Sequence, residues 1–161
     1  MNNEEFKRYI ESISGRMMRF AVAILRSEAD AEDVVSGVVE RLWHRREHLL
    51  SDGSASSFAM SAVRNGCYDH LRYMRRRHSV ELTERLEAAN GEISSDRVEM
   101  VRYAIGQLPD RQREVLHLKD IEGYEVEEIA KLLDIEPTNV RMILSRARRS
   151  LREIILKQMK R

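Results

Sequence analysis

The chain has 161 residues, and its 28 Lys and Arg nearly cancel its 27 Asp and Glu, so net charge points to no partner and only the placement of each sign can. Seven Gly and two Pro give little punctuation for a strand-rich fold, while Leu, Glu, Arg, Ala and Met favour helix. The single cysteine, Cys67, excludes an internal disulfide and a cysteine-based metal cluster.

The polar start, Met1 to Lys7, has no signal-peptide pattern, and no apolar run is long enough to cross a bilayer. A cytoplasmic protein without membrane insertion is expected. Phe6, Ile10, Ile13, Met17, Phe20 and Ile24 recur at steps of four and three and predict a long amphipathic helix. A second helix is expected from about Asp30, where Glu32 and Asp33 suit the positive end of the helix dipole. Its inner stripe is Ala31, Val35, Val38 and Leu42, widened by Val34, Val39 and Trp43. The composition of Ser51-Asp52-Gly53-Ser54-Ala55-Ser56-Ser57 predicts a loop. A third helix is expected from about Ser57 to Arg77, with Met60, Val63, Cys67, Leu71 and Met74 on one face and Phe58, Asn65, Asp69, Arg72 and Arg76 on the other.

Residues 79–97 lose the helical period, lean acidic, and include Asn90-Gly91 and Ser94-Ser95, which reads as a flexible linker. The period returns at Val98, Val101, Ile105 and Leu108; Pro109 then separates two helices, and Gly123 marks the end of the second. The chain is thus expected to be all-α, with two small helical domains, 1–78 and 98–161, on a tether. The stretch Val126 to Leu144 has the spacing of a helix-turn-helix, with Ile129, Leu133, Ile135, Val140 and Ile143 as its core and small Ala130 where the helices approach. Pro137 suits the first turn of the second helix, and Asp134 stands where glycine is frequent, at a turn whose left-handed backbone Asp tolerates. On that second helix Val140, Ile143, Leu144, Ala147 and Leu151 face inward. Thr138, Met142, Ser145 and Arg149 face outward, flanked by Arg141 and Arg146. Arginine pairs bidentately with guanine edges and with phosphates, so this face suits a major groove; the bland alternative is a solvated basic helix.

Three blocks in order resemble the extracytoplasmic-function group of bacterial RNA polymerase sigma factors. The first is Asp30-Ala31-Glu32-Asp33-Val34-Val35 running to Leu42-Trp43. The second is Ser57-Phe58 through Asn65, Asp69, Leu71 and Arg72 to Arg75-Arg76-Arg77. The third is Leu108-Pro109, Arg113-Glu114-Val115, Glu128-Ile129-Ala130, Val140-Arg141 and Arg146-Ala147-Arg148. The resemblance implies that the first block docks on the clamp helices of core RNA polymerase through Glu32, Asp33, Ser36, Gly37, Glu40 and Arg41; the family usually has Gln-Glu where Ser36-Gly37 stands. It implies that the second block melts and reads the minus-ten promoter element. There Phe58 would be the wedge, Asn65 a base or phosphate contact, and Arg72, Arg75, Arg76 and Arg77 the strand cations, with Asp52, Gly53, Ser54 and Ala55 around a flipped base. The third block would bind the minus-thirty-five element as duplex through Thr138, Asn139, Arg141, Met142, Ser145, Arg146 and Arg149. A non-enzymatic factor follows, with promoter DNA, polymerase and an anti-sigma factor as partners and no cofactor.

Two other readings remain open at this point. A helix-turn-helix regulator acting without polymerase would use 98–161 but leave the first 78 residues unemployed. His44-Arg45-Arg46-Glu47-His48 matches a zinc-peptidase string, without an evident third ligand.

Overall fold

In a computed structural model, the described residues are 1–50, 53–77 and 97–160, and every regular element among them is helical. The elements are α1 (Asn3–Leu25), α2 (Glu28–His44), a 3-10 turn (Arg46–His48), α3 (Ser54–Arg77), α4 (Arg97–Gly106), α5 (Asp110–Leu116), a π-helical turn (His117–Ile121), α6 (Val126–Leu133) and α7 (Pro137–Met159). The chain divides into two compact units, Met1–Tyr73 and Met74–Arg161.

In the first unit, α1 is held at its start by a reciprocal cap between Asn2 and Glu5, which satisfies two otherwise orphaned N–H groups. Arg26 closes α1 in the left-handed region, and the Ser27 hydroxyl accepts from the Asp30 N–H to open α2 two residues earlier than the sequence suggests. The predicted stripe of α1 is buried at Phe6, Ile13, Met17, Phe20 and Ile24, and Tyr9 joins it. Ala31, Val38 and Leu42 of α2 are buried opposite, whereas Val34, Val35 and Val39 are only half-buried. Trp43 reaches the edge of this core, its ring centroid 5.3 Å from that of Phe6, with the Arg46 guanidinium 3.8 Å from the centroid of the same ring.

The expected loop through Ser57 is shorter than its composition implies, because α3 already begins at Ser54. Ala55 is buried there, and its carbonyl accepts a 2.5 Å hydrogen bond from the Tyr9 hydroxyl. That tertiary contact overrides the weak helix preference of a Ser-rich stretch. Asp52 and residues 79–96 of the expected linker lie outside the described residues; Arg97 opens α4.

Gly66 of α3 lies close against α2. A Cβ there would lie 3.0 Å from Val34 Cγ1 and 3.6 Å from both Arg41 Nη2 and Val38 Cγ2. Gly37, midway along α2, has open space in the same position.

In the second unit, α4, α5 and α6 all pack on α7. The stripe expected from Val98 to Leu108 holds at Leu108, buried just past the end of α4, and at half-buried Ile105, and is corrected at its start. Val98 (56%) and Val101 (39%) are exposed, and the fully buried residue is Ala104, whose small side chain lets α4 lie close to its neighbour. Arg113 is buried at the α4–α5 junction, where it donates to the Leu108 carbonyl (3.0 Å) and to Asp110 Oδ1 (2.9 Å). A guanidinium can be buried only when paired in this way. Gly123 takes a positive φ of 77° just before α6, as the sequence suggests. The predicted core of the helix-turn-helix is present: Ile129, Ala130, Leu133 and Val140 are buried, with Ile135 and Ile143 half-buried. Asp134 adopts φ 56°, ψ 51°, the left-handed turn expected of it, and Pro137 occupies the first turn of α7.

Three outcomes are expected in the first unit. Gly37→Ala should raise its thermal unfolding midpoint, by the ~0.5–1 kcal/mol that alanine gains over glycine in a helix. Gly66→Ala should lower it by about 1 kcal/mol net, since a stiff β-branched Val34 must yield. Burial also pushes the Tyr9 hydroxyl from 10.0 up to about 12. The fold holds the neutral form, so stability is complete below about pH 10 and falls as pH rises from there through about 12. Chemical denaturation across that window should show the fall, and Tyr9→Phe should abolish it.

Candidate nucleic-acid interface

On α7 the three-and-four spacing separates two kinds of surface. Val140, Leu144 and Ala147 are buried, and Ile143 and Leu151 half-buried; Thr138, Arg141, Met142, Ser145, Arg146 and Arg149 are exposed, and Asn139 is half-buried. From Arg141 to Arg161 there are eight Lys or Arg against the one acid Glu153. An exposed Met at 45% amid these polar groups offers apolar contact, the chemistry a thymine methyl requires.

Two of these arginines are steered by carboxylates from preceding elements. Arg141 Nη2 lies 3.3 Å from Glu127 Oε1 of α6. Arg148 forms a two-pronged pair with Asp120 of the π-helical turn, with Nε to Oδ2 at 3.1 Å and Nη2 to Oδ1 at 2.7 Å. That hydrogen bond holds the Arg148 guanidinium above its ordinary pKa, so it stays charged at any working pH. Arg141, Ser145, Arg148, Arg149 and Arg152 together line a groove of about 400 Å³ along α7. Arg148 and Arg152 are absent from the site residues expected on the sequence. Counting only the motif's reading face missed them, although 141, 145, 148 and 152 share one helical side.

On α3 the outward face is as predicted. Phe58 is 46% exposed, and Asn65, Asp69, Arg72, Arg75, Arg76 and Arg77 are exposed. Asp69 pairs with Arg72 one turn on, which satisfies Asp69 locally. Gly53 and Ser54 are exposed beside this face. Ala55 is not available to a ligand in the way expected of it, because its methyl is buried in the unit's own core. The Arg64 guanidinium lies 4.8 Å over the ring of Tyr68, and neither residue figured in the sequence expectation.

On α2, Glu32, Asp33, Ser36, Glu40 and Arg41 are exposed and Gly37 is half-buried, so the six form an outward, mixed-charge surface. His70 of α3 sits behind it, Nε2 3.5 Å from Asp30 Oδ2. The zinc string is broken up. His44 ends α2, Arg45 leaves helical geometry, and Glu47 and His48 lie in the 3-10 turn, all exposed. Among the described residues no group of three or more His, Cys, Asp or Glu is placed to hold a metal ion, and no helix is long and apolar enough to cross a membrane.

Comparison with known proteins adds the following. The sigma-70 region 2 model matches residues 9–77, and the sigma-70 region 4 model matches residues 99–151. A probable RNA polymerase sigma factor, RfaY, from Xanthomonas campestris pv. campestris is 28% identical over 165 residues. That alignment takes in 96% of this chain but only 41% of the Xanthomonas protein. The ECF RNA polymerase sigma factor SigM of Mycobacterium tuberculosis is 24% identical over 140 residues, 87% of this chain and 71% of that protein. Among solved structures, the sigma factor RpoE of Bartonella quintana, determined with the anti-sigma factor NepR, superposes with a TM-score of 0.76 at 18% identity, over 94% of this chain and 97% of that one. CnrH, determined with the cytosolic domain of CnrY, gives 0.71 at 23% identity over 96% and 89%.

If Asp120 steers Arg148 as the geometry indicates, Asp120→Ala should lower affinity for duplex DNA less than Arg148→Ala does, by several-fold against about tenfold, in titrations at fixed salt. Equal or reversed losses would show that the pair serves the fold instead.

Proposed function

The chain belongs to the sigma-70 family, in its extracytoplasmic-function group, and from that premise we propose that it binds core RNA polymerase and directs it to specific promoters. The observation that carries this reading is the pair of outward arginine faces, one on α3 with an exposed aromatic and one on α7 with a groove-reading pattern, on two separate long helices. A regulator that only gripped duplex DNA would need the second face alone.

The division of labour follows from the chemistry of each surface. Duplex bases expose their faces only when the strands part. Phe58 supplies an exposed ring to wedge or stack, Asn65 a donor and an acceptor, and Arg72, Arg75, Arg76 and Arg77 the charge to hold a separated strand at the minus-ten element. Gly53 and Ser54 border the place of an extruded base; Asp52 is assigned there by family resemblance. The α7 face reads the intact minus-thirty-five element. Arg141, Met142, Ser145 and Arg146 meet base edges, while Thr138, Asn139 and Arg149 meet bases or phosphates. The outward side of α2, from Glu32 to Arg41, docks on the clamp helices of polymerase, with Ser36-Gly37 offering a shallow place for a partner's side chain.

In this reading the domains are 1–78 and 98–161, joined by 79–97. The factor acts in the cytoplasm and has no catalytic activity of its own. Each site is weak alone, and the tether together with polymerase makes the second contact intramolecular. The solved neighbours were determined with the anti-sigma factor NepR and with the cytosolic domain of CnrY; we extend to this chain an anti-sigma partner.

Run-off transcription with purified core polymerase and a panel of genomic promoters should give discrete products that require this chain. No discrete product, products that do not require this chain, or tight specific gel shifts by the free chain would contradict it. Within the holoenzyme, Arg146→Ala should cost about 1–3 kcal/mol on the cognate upstream element and little on a scrambled one. Unchanged affinity at moderate salt would remove Arg146 from the reading face.

A further inference from the structure

His117 opens the π-helical turn and Glu122 caps it, five residues later. Their side chains are only 6% and 2% exposed, and His117 Nε2 lies 3.4 Å from Glu122 Oε1. The same two residues close the turn through their backbones, where the Glu122 N–H donates to the His117 carbonyl at 2.9 Å. On an α-helix, residues five apart point about 140° away from each other, so this side-chain contact could not form there. A turn closed from i to i+5 is wider and brings the two onto one side. A carboxylate this deeply buried must be paired, and the imidazole is placed to share in that task. The pair therefore favours the π turn over a regular continuation of α5.

With both side chains buried, neither residue can meet DNA directly. Asp120 stands on the same turn, two residues before Glu122, and its carboxylate takes both prongs of Arg148, at 3.1 and 2.7 Å. Leu116 and Leu118 are buried on either side of His117 and root the start of the turn in the core, whereas Asp120 and Ile121 are exposed. Closure of the turn, more than core packing, thus decides where Asp120 points. We propose that His117 and Glu122 are positioning residues for the upstream-element contact: by locking the π turn they aim Asp120 at Arg148 and so hold that guanidinium along the α7 groove. The inference rests on the sigma reading above and deepens it, giving a role to two buried polar side chains that the reading leaves unused.

The test uses the holoenzyme, assembled from the full chain and core polymerase. It is titrated at fixed salt with the most strongly transcribed promoter of the run-off panel, as a duplex, and with a copy whose upstream element is scrambled. His117→Leu removes the imidazole and keeps apolar bulk. Glu122→Gln keeps the size and removes the charge, and serves if the first variant fails to fold, as circular dichroism of the free chain would show. Each should weaken binding to the promoter several-fold, against about tenfold for Arg148→Ala. Combined with Arg148→Ala, each should add no further loss, because the side chain it acts through is gone. A purely structural role would instead multiply the two losses. Parent-like binding by either folded variant, or losses that multiply with that of Arg148→Ala, would overturn the proposal. A parent holoenzyme that binds both DNAs alike would overturn the sigma reading itself.

Discussion

A guanidinium cannot be buried without a partner, and that constraint organises both units. Each is built on a long helix that must put apolar residues inside and arginines outside on alternating sides of one rod. In α7 the same 23 residues close the core through Val140, Leu144 and Ala147 and carry the basic face. The side chains that touch DNA in this reading are therefore positioned by packing on three other helices, not by a loop. Placing a reading surface on the spine of a domain ties its geometry to the domain's stability. The exception supports the constraint. Arg113 is buried, and it is satisfied by the Leu108 carbonyl and Asp110.

The near-zero net charge has a related origin. Acidic residues do not simply dilute the basic faces; some sit where they orient them. Glu127 and Asp120 reach Arg141 and Arg148 from elements that precede α7, and Asp69 reaches Arg72 within α3. Each pair lowers local charge but restricts a long, flexible side chain, which favours specificity over non-selective attraction to any phosphate backbone. A strongly cationic chain would bind nucleic acid more readily and discriminate less well.

Much of this was legible in the sequence because it is periodic. The stripe of α1, the two faces of α3 and the helix-turn-helix with Asp134 at its turn all follow from spacing of three and four and from turn chemistry. What spacing cannot show is tertiary preference. The Ser-rich stretch before Phe58 looks like loop, yet a hydrogen bond from Tyr9 to Ala55 draws its second half into helix and buries a residue expected at the surface. Val98 and Val101 look like core, yet α4 turns Ala104 inward instead. Pairs far apart in the chain, such as Asp120 with Arg148, leave no periodic trace, so Arg148 went unassigned. The Arg64–Tyr68 stack is local, but Tyr68 reads as an ordinary flank of a buried stripe until its neighbour is seen above it.

The π-helical turn from His117 to Ile121 has one more consequence. A wider turn inserts a residue into what would otherwise be the tight end of α5, and Asp120 lies within that insertion. Each residue advances a helix by about 100°, so losing or gaining one there would swing this carboxylate roughly a quarter-turn off its present bearing. The length of this short segment is therefore constrained as firmly as any side chain in it.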